Sequence, residues 1–121
     1  MLESAPDTIA NLSSLTRVQV QTLKMHILVG KNEINMQQAL KSRKHGGISR
    51  GTYYRILGQA KKNVRESLFT VATAAQLGLL KPEDVQKLIS SVSMIPGDVD
   101  PGKLPEILAL LNAMAERIVM L

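Results

Sequence analysis

Lys41, Arg43, Lys44, Arg50, Arg55, Lys61, Lys62 and Arg65 place eight bases within residues 41–67, where Glu66 is the one acid. Elsewhere charges nearly cancel: three bases face three acids in residues 1–40, and four face six in 68–121. The formal net charge of +5 is therefore regional. A local excess of that size is the electrostatic footprint of a polyanion partner, because each base that meets a phosphate releases a condensed counterion. Two side-chain types inside the segment can do more than neutralise charge. Arg55 can pair bidentately with a guanine edge and Gln59 with an adenine edge in a major groove.

Those residues must be held in register, and the sequence offers helices to hold them. Thr16 followed by Gln19 has the form of a capping box, flanked by Leu15 and Val20 as a staple, so a helix is expected over about 16–29, stopped at Gly30. Asn35 followed by Gln38 repeats the arrangement, with Ile34 and Ala39 as its staple, and predicts a short helix reaching about Arg43. The His45-Gly46-Gly47 stretch cannot continue it cheaply. Ser49 caps a third helix, expected over about 50–77 with a bend near Gly58. Pro82, with Glu83 and Asp84 in the first turn, starts a fourth that ends before Pro96. A fifth opens near Pro105. Asp7 is expected to cap a short turn in a loose start over residues 1–14.

On a wheel of about 100° per residue with Leu57 at zero, Tyr53, Ala60 and Val64 fall within about 60° of it and form the inward side. Gly51, Arg55, Gln59 and Lys62 fall between about 120° and 200°, on the outward side. Gly51 and nearby Gly58 would let the helix backbone come close to a partner. Lys41, Arg43, Lys44, Lys61 and Arg65 flank this side and are expected to hold phosphates, which fixes register without reading sequence. Tyr54 borders the apolar side and could offer its hydroxyl to a phosphate. The competing explanation is a basic face that is merely solvated.

Ile48-Ser49, Gly51-Thr52, Leu57, Ala60, Lys62 and Val64-Arg65-Glu66 followed by Leu68 together resemble the recognition helix of sigma-factor region four, of the extracytoplasmic-function type, and of related regulator domains. Leu15-Thr16, Gln19, Leu23 and Gly30 are similar to that family's preceding helix, and the Ile34–Leu40 stretch lies where its first helix-turn-helix element should be. The resemblance spans about residues 15–68. It implies that Ser49, Arg50, Gly51 and Thr52 meet DNA at the helix N-terminus, with Arg55 and Gln59 further along the groove. The segment between Leu40 and Ile48 is longer than the family's turn. Nothing in the chain corresponds to a second domain that binds polymerase, so a free-standing regulator is expected rather than a complete sigma factor.

The remaining composition narrows the alternatives. No cysteine is present, and His26 and His45 stand apart, so neither a metal nor another cofactor is expected. No nucleophile–base pair or phosphate-cradling glycine loop occurs, and an enzyme is not expected. Hydrophobic residues reach 45 % with one Phe, two Tyr and no Trp, so aliphatic helix packing must build the core and the fold class is all-α. Tyr53 belongs to that core. Leu104, Ile107, Leu111, Met114, Ile118 and Leu121 follow a heptad seam, and Leu108 lies on a second apolar side; these residues are expected to make a homodimer. No segment reads as a membrane span or secretory signal, which leads to the expectation of a cytoplasmic protein.

The expected organisation is therefore a flexible segment over 1–14, a helix-turn-helix region over 15–78 and a helical oligomerisation region over 79–121. The function it points to is sequence-specific binding of double-stranded DNA by a small transcriptional regulator. Two alternatives remain: a packaging, partition or scaffolding factor with low sequence preference, and an RNA-binding protein.

Overall fold

The computed structural model describes residues 3–42 and 47–119, and among them the regular structure is helical apart from one two-residue strand pairing. The six α-helices are α1 (Ala5–Ile9), α2 (Arg17–Gly30), α3 (Met36–Lys41), α4 (Arg50–Gln76), α5 (Pro82–Ser93) and α6 (Leu104–Ile118). They form two compact bodies, residues 14–66 and residues 1–13 with 67–121, so α4 begins in one and ends in the other. No described helix is long and apolar enough to cross a membrane.

In the body of residues 14–66, reciprocal caps set where α2 and α3 begin. The Gln19 N–H donates to Thr16 Oγ1 and the Thr16 N–H to Gln19 Oε1, both at 3.1 Å. Asn35 and Gln38 exchange the same two bonds at 2.8 Å. Each box satisfies N–H groups that a helix start leaves without an intrahelical acceptor. The stop of α2 differs from expectation. Gly30 stays helical, and Asn32 takes the left-handed conformation with φ 60°. The Glu33 N–H then reaches Leu28 O and the Asn32 N–H reaches Val29 O, the paired bonds of a Schellman ending. Asn tolerates this conformation better than most residues, so the glycine two positions earlier is not needed for the turn.

Ala39, Tyr53 and Leu57 are buried at the centre of this body, and Leu23, Met25, Val29, Ile34, Met36, Leu40 and Ile48 pack around them. Tyr53 is its largest fully buried side chain, as the apolar periodicity of α4 requires. Between α3 and α4 the chain must return to this core. Gly47, at φ 96°, lets the Ile48 N–H donate to Leu40 O at 3.1 Å, and a Cβ at Gly47 would stand 2.5 Å from that same oxygen. Only glycine fits there.

The other body corrects the expectation of a loose N-terminus. Glu3–Ser4 pairs antiparallel with Asp98–Val99, and the Ala5 N–H donates to Gly97 O at 2.8 Å. Ala5, Val99 and Leu104 are buried together, with Ile9, Ile95 and Ile107 against them. Ser4, not Asp7, caps α1: its hydroxyl accepts from the Asp7 N–H. α4 ends in a second Schellman turn, with Gly78 at φ 83° and the Leu79 N–H on Ala74 O. Pro82, Glu83 and Asp84 open α5 as expected. An Asx turn at Asp100, whose Oδ1 accepts from the Gly102 N–H, leads into α6.

Candidate nucleic-acid interface

The first four turns of α4 carry the basic segment, and three features hold them in place. Ser49 caps the helix: its Oγ accepts from the Thr52 N–H at 3.1 Å and donates to Thr52 Oγ1 at 2.9 Å. Tyr53, Leu57 and Ala60 anchor the inner side with no more than 4 % exposure. Asn63 ties the helix to the start of α2. Its Nδ2 donates to Ser14 O at 3.0 Å and Gln19 Oε1 at 3.4 Å, and its Oδ1 accepts from Ser14 Oγ at 2.8 Å. Sequence reasoning passed over Asn63. Its signal was available, because Asn is a poor residue for a helix interior unless its side chain has a partner elsewhere.

Away from the anchoring residues, Arg50, Gly51, Tyr54, Arg55, Gln59, Lys61, Lys62 and Arg65 are all exposed, with Gly51, Arg55, Gln59 and Lys62 opposite the core and Arg50 and Lys61 at its border. Projected along α4, the five bases cover a sector of about 140°, from Arg50 near 20° to Arg55 near 160°, and a length of about 22 Å at 1.5 Å per residue. Gly58, at about 100°, and Gly51, at about 120°, lie in the middle of that sector. Among the described residues, nothing lies within 4 Å of where a Cβ would stand on either glycine. No described neighbour therefore demands either glycine, although Gly58, inside the helix, costs about 1 kcal/mol against alanine there. α4 nevertheless runs unbroken through Gly58.

Comparison with family models, with curated proteins and with solved structures finds no match.

Not every expected residue is equally available. Lys41 is exposed at the end of α3, whereas Arg43 and Lys44 lie outside the described residues. The Ser49 and Thr52 hydroxyls are engaged with each other in the cap, and Thr52 is half-buried, so these two side chains position the helix first. Tyr54 stands edge-on to Tyr53, ring centres 5.4 Å apart, with half its surface open. Lys62 lies 3.8 Å from Glu66, one turn on, a solvent-exposed pair of small energy. No group of three His, Cys, Asp or Glu suited to a metal occurs among the described residues.

The seam expected to make a dimer is taken up in part inside the chain. Leu104 and Leu111 are buried, Ile107 packs on the Ala5 cluster, and Leu108, Met114 and Ile118 are half-buried. Leu104 and Leu111 therefore face the interior of their own body. Leu121 lies outside the described residues.

Proposed function

We propose that this chain binds double-stranded DNA by laying the basic side of α4 in the major groove, as a small regulator with a helix-turn-helix built from α3 and α4. One observation carries the reading: exposed Arg55 and Lys62 share with two sterically open glycines the side of a helix whose opposite side is fixed in the core, and exposed Arg50, Lys61 and Arg65 flank them. The bases supply attraction, and the glycines allow the backbone to approach closely. On this reading Arg55 and Gln59 meet base edges, and Lys41, Lys61 and Arg65 meet phosphates. A helix about 10–12 Å across with its side chains matches a groove about 12 Å wide.

The test is selection of bound fragments from a random duplex pool, followed by competition against looped and single-stranded RNA. Recovery of one sequence motif, bound at least a hundredfold more tightly than the unselected pool, supports the reading. Enrichment of no motif together with strong salt-dependent binding transfers the interface to a sequence-indifferent assembly role. Preference for RNA over duplex removes the groove.

A further inference from the structure

Charge divides between the two bodies more sharply than along the chain. Residues 14–66 hold eleven bases and two acids, a net +9, whereas residues 1–13 with 67–121 hold four bases and eight acids, a net −4, which together return the +5 of the chain. The basic side of α4 does not account for all of that excess. Arg17, Lys24 and Lys31 stand seven residues apart along α2 and its C-terminal cap, and they are the three bases of residues 1–40. With the buried Thr22 at zero they fall near 220°, 200° and 180°, a straight row about 21 Å long. This row lies opposite the mean direction of Leu23, Met25 and Val29, which pack on the core. Arg17 and Lys31 are exposed, and Lys24 is half-buried.

Helix chemistry alone does not explain the row. α2 contains no acid, whereas a solvated helix side ordinarily mixes both signs. Lys31 suits the negative end of the helix dipole, but Arg17 occupies the first helical position, where a base is disfavoured. We infer that the outward side of α2 is a second phosphate-binding surface, and that it takes the backbone of a second DNA duplex while α4 holds the first. This rests on the reading of α4 as a groove-binding helix. Two duplexes, not one, follow from the directions of the two basic sides. Asn63, which bonds Ser14 and Gln19 at the start of α2, lies near 240° on the α4 wheel, while the basic sector of α4 is centred near 90°. Each basic side thus points away from the other helix, with the Tyr53 and Leu57 core between them, and a straight duplex seated on one does not reach the other. One chain can then bridge two duplexes, the second without regard to its sequence, because contacts to phosphates read none.

Capture of a second duplex by the full chain is the test. A duplex carrying the selected site is fixed to a surface and saturated with protein, and a labelled duplex of random sequence is then added. The parent should retain the labelled duplex in 50 mM salt, and three phosphate contacts give a log–log salt slope of about −2.7, a loss of about fortyfold in affinity on going to 200 mM. Arg17→Gln, Lys24→Gln and Lys31→Gln together should keep affinity for the selected site within about twofold of the parent and abolish capture. Arg17→Gln with Lys31→Gln alters exposed side chains only, and should lower the slope to about −0.9 with helix content unchanged.

The outcomes separate the two surfaces. Capture by the triple variant equal to the parent's assigns bridging to another part of the chain or to a pair of chains, and overturns the inference. Weakening of the selected site by the triple variant as large as that caused by Lys61→Ala puts α2 against the same duplex as α4, and overturns it too. A parent that binds the selected duplex and retains no second one leaves the reading of α4 standing and removes the role of α2. A parent that binds no duplex at all removes both.

Discussion

Replacing Gly58 with alanine separates a helix that merely bears charge from one built for close contact. Gly58 is interior to α4, has ordinary helical backbone, and faces open space where the new methyl would stand. No clash offsets the gain in helix propensity, so Gly58→Ala should stabilise the fold by about 0.8–1.0 kcal/mol. For 121 residues melting together, with an unfolding entropy of about 2.1 cal/mol/K per residue, that is a rise of about 4 °C in Tm. Affinity for DNA should move the other way. A methyl in the centre of the basic sector, between Arg55 and Lys62, holds the backbone off the groove and should weaken binding about tenfold, or about 1.4 kcal/mol. Thermal denaturation followed by circular dichroism reads the first effect, and competition binding on the selected duplex reads the second. A more stable protein with unchanged affinity would show that nothing approaches the glycine, and the sector would then be an ordinary solvated face.

Four further substitutions probe the same body. Arg55→Ala should cost about 1–3 kcal/mol on the selected site and little on random duplex, while Lys61→Ala should weaken both alike and lower the log–log salt slope by about 0.9; equal losses on both DNAs for Arg55→Ala remove its base-reading role. Asn63→Ala breaks three bonds to Ser14 and Gln19 and should lower stability by about 1 kcal/mol after alanine's better propensity is counted, read as a shift in denaturant midpoint. Gly47→Ala should destabilise by 2 kcal/mol or more, roughly the sum of a left-handed alanine and displacement of the Leu40 carbonyl, and an unchanged midpoint would exclude the described turn.

Much of the helical pattern could be read from local chemistry because the signals are themselves local. Thr16 with Gln19 and Asn35 with Gln38 cap the helices they announce, and Pro82 opens α5, since each cap involves only residues three or four apart. The stop at Asn32 instead of Gly30 is a case where two residues could end the helix and the Schellman bonds to Leu28 and Val29 decide between them. The pairing of Glu3–Ser4 with Asp98–Val99 was not legible, because a two-residue bridge joining segments more than ninety residues apart leaves no periodic trace. At the candidate interface, spacing alone placed Arg55, Gln59 and Lys62 outward, opposite Tyr53 and Leu57. Periodicity could not say where cover ends. Leu57 and Leu68 occupy the same stripe, and only the surrounding helices determine that one is interior and the other bare.

The T-shaped tyrosine pair has a practical consequence. With no tryptophan in the chain and both tyrosines in the first turns of α4, the emission and near-ultraviolet dichroism of the unlabelled protein arise almost wholly from Tyr53 and Tyr54. One ring is sealed in the core and the other open, so a change confined to Tyr54 alters quenching by iodide, whereas loss of the core exposes both rings. The molecule thus carries its own optical probe at the edge of the surface in question.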